Sequence, residues 1–195
     1  VYHAWSDRRR DCRVWHGLCP CIVVNMSPGG HLVTTAVACA ASAALTESLP
    51  LTAGIALGGF LIDVDHAIDY VLVERQRDLR PSVFLRYYLG GRVRRAVLVL
   101  HSYELFALLI ALAWWTDALP LWGYLLGGLM HLALDLIFNG ELTPRSISAF
   151  YSFAYRLAHR FDTAALFGPA TARIVAPGFW RAVFTAAELP AGPPR

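Results

Sequence analysis

Apolar positions in this chain come in long blocks broken by brief polar turns, with little of the alternation that marks half-buried strands. Four blocks, roughly residues 31 to 48, 51 to 73, 96 to 116 and 120 to 138, approach the ~20 residues an α-helix needs to cross a bilayer. The pattern predicts four transmembrane helices. Thr46-Glu47-Ser48-Leu49-Pro50 separates the first two blocks and Thr116-Asp117-Ala118-Leu119-Pro120 the last two, each a short turn with an acid and no basic residue. The longer loop 74 to 95 carries Arg75, Arg77, Arg80, Arg86, Arg92, Arg94 and Arg95. By the positive-inside rule that loop is expected in the cytoplasm. Both termini follow it, because Arg145, Arg156, Arg160, Arg173 and Arg181 come after the fourth block.

The two turns resemble each other closely enough to suggest a repeat. Shifted by 70 positions, His31 falls on His101, Thr46 on Thr116, Pro50 on Pro120, Gly58 on Gly128 and Asp65 on Asp135. Two helical hairpins of equal orientation, related by a pseudo-twofold axis along the membrane normal, are expected. Beyond Asn139 the period changes. Residues 147 to 161 place Ile147, Phe150, Tyr151, Ala154, Leu157 and Phe161 on one helical face, with Arg156, His159 and Arg160 elsewhere, as in an interfacial amphipathic helix. The expected fold class is thus all-α, an integral membrane four-helix bundle plus a C-terminal interfacial helix. Its regions are a transmembrane metal-binding domain over 26–145, an interfacial helical region over 146–188 and a disordered tail over 189–195. Residues 1–25 read as an unstructured or mis-started extension, with translation expected to begin at Met26. They are no signal peptide, since their apolar run is short and broken by Pro20.

Composition agrees with a membrane protein: 56% of the 195 residues are hydrophobic and 16% charged. The net charge of +3 is small and the arginines form no stripe interleaved with aromatics, so no nucleic-acid partner is expected. Oligomeric state is not indicated. Cys12, Cys19 and Cys21 lack the paired C-x2-C spacing of structural zinc sites.

The informative residues are the ionisable ones inside the apolar blocks. An ionised side chain near the bilayer centre costs at least ~2.5 to 3.5 kcal/mol, so such groups must answer one another or a cation. With the topology above, His31, Asp63, Asp65, His66, His101, Glu104, His131 and Asp135 all lie toward the cytoplasmic ends of their helices and share a depth. Asp63 and His66 are three apart, His101 and Glu104 three apart, and His131 and Asp135 four apart, so each pair shares a helix face. Helical bundles build metal centres from such imidazole and carboxylate pairs. All eight are candidate ligands, with Glu104 or Asp65 as the general base. Proton relays use the same residue types, and haem would not need a carboxylate beside each histidine. His159 and Asp162 read as solvated.

The order His31, Asp63-x-Asp65-His66, His101-Ser102-x-Glu104, His131-x-x-x-Asp135, then Asn139 and Thr143-Pro144, resembles the bacterial membrane-bound metal-dependent hydrolase family, the YdjM-like proteins. The resemblance covers roughly residues 29 to 145. Where many members carry a His-Arg-Gly-x-Thr-His-Ser stretch, this chain has Leu100-His101-Ser102. That family is distantly similar to zinc-dependent phospholipase C and the single-strand nucleases, which hold three zinc ions. The resemblance implies a divalent metal, zinc first and manganese or iron next, in one to three ions. It implies a hydrolase of the bacterial inner membrane, multi-pass, acting beside membrane lipids on a phosphoester or lipid-like substrate. A small transporter or ion-handling protein using the same cluster is the alternative, and a structural protein whose polar groups join helices is a third.

Overall fold

The computed structural model describes residues 26–139, 147–168 and 173–185. The extension 1–25, the tail 189–195 and the Thr143-Pro144 pair lie outside the described residues. Those described are all-helical, with no strand and an isolated bridge between Arg95 and Asp162.

Helix α1 is Pro28–Thr46, opened by Ser27, whose hydroxyl accepts from Gly30 N, and by Pro28 in the first turn. Helix α2 is Leu49–Gly59, capped by Ser48. After Gly59 the chain bends by 46° and continues through a 3₁₀ turn at Leu61–Asp63, helix α3 at Val64–Ile68 and a π-helical turn at Asp69–Val73. Helix α4, Pro81–Leu89, lies in the arginine-rich loop. A 3₁₀ turn at Val99–His101 leads into α5, Tyr103–Thr116, and then α6, Leu119–Phe138. Four short helices follow: α7 Ile147–Phe150, α8 Phe153–Ala158, α9 Thr163–Phe167 and α10 Phe179–Phe184.

Helices α1 and α6 are each long and apolar enough to cross a membrane, and the bent α2 to Val73 pair makes a third candidate span. The third predicted block does not form one long helix. Only 14 residues, Tyr103–Thr116, are α-helical, because the amides of Val97, Leu98 and Leu100 bond to carboxylates of the second block instead of to their own chain.

The two hairpin turns repeat in detail. Glu47 and Asp117 both take left-handed backbone (φ 51° and 50°) and donate N–H to Ala43 O and Ala113 O. Thr46 and Thr116 each return a hydroxyl to a carbonyl four residues back, at 2.8 Å. Between the hairpins, α2 and α6 run parallel with their backbones in contact. A Cβ on Gly54 would lie 2.2 Å from Pro120 O, and one on Gly123 would lie 2.1 Å from Leu51 O. A Cβ on Gly58 would meet Tyr124 O at 2.0 Å and one on Gly127 would meet Ile55 O at 2.3 Å. These pairs interchange under a shift of 69 positions, one less than the shift that aligns the turns. Two Gly-x-x-x-Gly steps thus form the seam, the arrangement by which apolar helices pack without a hydrophobic driving force between them.

The expected helix over 147–161 is broken. Ser152 accepts from Tyr155 N and restarts the chain as α8, while Phe150, Tyr151 and Arg156 turn inward and Leu157 outward. Arg156, expected off the buried face, is the most enclosed charge among the described residues at 0% exposure. Its guanidinium donates to the carbonyls of His101, Leu98 and Phe150 at 3.1, 2.8 and 2.8 Å. In the loop, Glu74 accepts from the amides of Arg94 and Arg95 and from the Tyr87 hydroxyl. Burial and that carboxylate push the Tyr87 phenol up to about 12.

Candidate metal centre

The bend at Gly59 positions the site. It turns the following residues toward α6, where His131 Nδ1 donates to the Gly59 carbonyl at 2.9 Å. The next two turns divide their charges by face. Asp65 and Asp69, four apart, point at the segment before α5. Asp65 Oδ2 accepts from Leu100 N (3.0 Å), and Asp69 Oδ2 from Val97 N (2.6 Å) and Leu98 N (3.1 Å). Asp65 also accepts from His101 Nδ1 at 3.0 Å. Asp63 and His66, three apart, point into the space that remains.

Asp63 Oδ1 sits at the centre of that space. His66 Nε2 is 3.5 Å from it, and His101 Nε2 and His131 Nε2 are each 3.4 Å away. His101 Nε2 and His131 Nε2 are themselves 3.4 Å apart. A neutral imidazole has one N–H, and in both rings that hydrogen is spent on Nδ1, toward Asp65 and Gly59. Two lone pairs therefore face each other beside a carboxylate oxygen, an arrangement that repels unless a metal ion or protons share the space. The separations are also those of a coordination sphere. Bonds of about 2.0 to 2.1 Å at tetrahedral angles set ligand atoms about 3.3 to 3.4 Å apart. Occupied Nδ1 atoms on ligating histidines are the usual outer support of such centres.

A second triad adjoins the first. His31 Nε2 donates to Asp135 Oδ1 at 3.0 Å, and its ring stacks on His131 with centroids 3.7 Å apart. His131 Nε2 lies 3.5 Å from Asp135 Oδ2. Within each of the sets His31, His131, Asp135 and Asp63, His66, His101, the ligand atoms lie within 4.8 Å of one another, so the cluster could hold a metal ion. His31, His101, His131 and Asp135 are buried, whereas the side chains of His66 and Asp63 are 27% and 33% exposed. The site opens on that side.

Six of the eight candidates thus meet: His31, Asp63, His66, His101, His131 and Asp135. Asp65 stands behind His101 with both oxygens engaged, a support for the ring with no face toward the central space. Glu104, expected as a ligand or the base, is not brought to the cluster. Its carboxylate accepts from Ser152 Oγ (2.7 Å), Phe153 N (2.8 Å) and Ala154 N (3.1 Å), where it caps α8.

Three contributors were missed from the sequence, Tyr151, Arg156 and Tyr88, and a fourth, Asn139, stood on the face of His131 and Asp135. Tyr151 donates to Asp135 Oδ2 at 3.0 Å, and Arg156 holds the His101 carbonyl. Asn139 donates to Asp135 Oδ1 at 2.7 Å, a role its i+4 spacing from Asp135 did signal. Tyr88 packs edge-on to His66 at 4.8 Å, its buried hydroxyl without a partner. Burial and the nearby Asp69 and Asp65 push that phenol upward, so it stays neutral. No local signal marks Tyr88, Tyr151 or Arg156.

Comparison with protein-family models, with curated proteins and with solved structures finds no match.

Proposed function

We propose that the protein is a membrane-embedded, metal-dependent hydrolase of the YdjM-like kind that its motifs resemble. In this reading four helical segments form a bundle in the bacterial inner membrane, with both termini and the metal centre on the cytoplasmic side. Exposed apolar side chains on the spans support immersion in lipid: Leu45 is 84% exposed and Leu49 79%. Trp114 and Trp115, in the last turn of α5 and so at its far end from His101, have the character of an interfacial aromatic belt.

The observation that carries the reading is the set of three imidazole Nε2 atoms around Asp63 Oδ1, two of them with Nδ1 already committed. Three nitrogens and one carboxylate are a donor set that suits zinc, with manganese or iron as the next choices. His66, His101, His131 and Asp63 would hold the ion. A divalent cation there supplies Lewis acidity, toward a water and toward a phosphoryl or acyl oxygen. The remaining residues have their own tasks. Asp135, supplied with hydrogen bonds by Tyr151, Asn139 and His31, is placed beside His131 to take a proton from a nucleophile. Asp65 and Arg156 fix His101. The exposed edge at Asp63 and His66 admits substrate, and the arginine-rich loop beside it attracts anionic groups.

The test is turnover of phosphoesters and phospholipids by purified protein, wild type against His131→Ala, with metal content measured on both. Turnover that depends on metal and His131 is expected. Equal rates in the two proteins would remove the hydrolase, and tight metal without turnover would favour the ion-handling alternative.

A further inference from the structure

Between α1 and the α2 bend runs an apolar groove of about 500 Å³, walled by Leu32, Ala36 and Cys39 on one side and Ala56, Phe60 and Leu61 on the other. No charged residue lines it. At its floor Thr35 is 4% exposed, and its hydroxyl has no hydrogen-bond partner. Most helical threonines satisfy that hydroxyl on a carbonyl one turn back. Here the neighbouring Thr34 takes both the Gly30 and His31 carbonyls, at 2.9 and 3.2 Å. The polar groups nearby are paired: Ser42 with Thr52 at 3.0 Å, and Cys39, on the groove wall, with the Thr52 carbonyl at 3.7 Å. Thr35 is therefore the unsatisfied polar point in an otherwise apolar channel.

The groove adjoins the metal centre. Thr35 is one helical turn from His31 and packs against Gly59, the residue whose carbonyl holds His131. Phe60 and Leu61 stand just ahead of Asp63. From Leu32 to Cys39 the groove wall rises about 10 Å along α1. Along that line an apolar channel comes first, then an isolated hydroxyl, then a site for an anionic group.

We infer that this groove binds one acyl chain of a membrane glycerolipid, with the Thr35 hydroxyl turning from its enclosed place against Gly59 to donate to the chain's ester carbonyl and the headgroup phosphate reaching the Asp63, His66, His101, His131 cluster. The inference rests on the proposed function for its catalytic part only; the binding part stands on the groove. It makes the substrate a lipid drawn sideways from the bilayer, with hydrolysis at the headgroup end.

The test uses full-length protein in nanodiscs containing phosphatidylglycerol with a diazirine midway along one acyl chain. Photolabelling is expected within residues 32–61, and Ala56→Trp, at an exposed wall position, should lower it about fivefold by displacing one to two methylenes. Label found elsewhere and unchanged by Ala56→Trp overturns the groove. Cross-links joining two copies through these residues also overturn it, assigning the face to self-association. Thr35→Val should slow turnover of ester-linked lipid about fivefold and leave the ether-linked analogue unchanged; equal effects on both would remove the carbonyl contact. Groove labelling with no hydrolysis of any lipid would sink the hydrolase and leave the acyl site standing.

Discussion

Replacing Gly58 with alanine tests whether the seam between α2 and α6 sets the metal centre. The added Cβ would sit 2.0 Å from Tyr124 O and 2.8 Å from Gly128 N, where ordinary contact begins at 3.4 Å. Both neighbours are backbone, so neither can rotate away. The helices must part by about 1 Å or more, roughly the 1.4 Å shortfall at Tyr124 shared with small tilts. Gly59 is the next residue, and its carbonyl holds His131 Nδ1 at 2.9 Å. Moving it by that amount carries the contact past 3.5 Å, outside hydrogen-bond range. His131 then loses its fixed tautomer, and the 3.4 Å spacings to Asp63 and His101 go with it. Loss of such an outer contact lowers metal affinity by about 10 to 100-fold. Overpacking also destabilises the fold by about 1 to 3 kcal/mol. Titration of apo-protein with zinc against a chelating dye, in detergent, reads the first effect, and thermal unfolding reads the second. Ala56→Val, at an exposed position on the same helix, is the control and should change neither. Gly58→Ala protein with wild-type metal affinity would refute the coupling of seam to site.

Further outcomes separate the roles assigned above. Asp65→Ala removes the acceptor of His101 Nδ1 and of Leu100 N, and should weaken metal binding by about 10 to 100-fold while leaving Asp63 and His66 in place; unchanged affinity would deny Asp65 its supporting role. Glu104→Ala removes the cap of α8, costing about 1 kcal/mol of stability, and should leave metal binding and turnover near wild type. Turnover abolished in stable, metal-loaded Glu104→Ala protein would restore it as the base. For Tyr87, the phenol is raised from 10.0 to about 12 in the fold, so it contributes its full stability below pH 10 and loses it as pH rises toward 12. A difference titration of wild type against Tyr87→Phe should show the phenol ionising near pH 12, and ionisation near 10 would contradict its bond to Glu74.

What could be read in the sequence was what depends on near neighbours. The hairpin turns follow from Thr46-Glu47 and Thr116-Asp117, whose caps are local, and the six converging ligand candidates follow from depth and i, i+3 or i, i+4 spacing. Roles set by distant partners were not legible. Glu104 has a ligand's spacing from His101, yet its partners lie 48 to 50 residues away. Asp65 looks like a ligand by type, and instead it and Asp69 hold amides 28 to 35 residues on, which is why α5 begins at Tyr103. Arg156 looks like a solvated charge, because three carbonyls that no sequence pattern brings together form its cradle. The glycine seam was legible in principle, since Gly54 and Gly58, and Gly123 and Gly127, have the small-residue spacing of packed membrane helices.

Metal analysis of the gently purified chain, combined with X-ray absorption at the metal edge, decides most directly whether these groups surround one cation. The expected result is close to one ion per chain, with nitrogen and oxygen neighbours at about 2.0 to 2.1 Å, lost in His101→Ala and His131→Ala proteins that remain folded. Less than ~0.3 ion per chain in the wild type, or full occupancy surviving both substitutions, would contradict it.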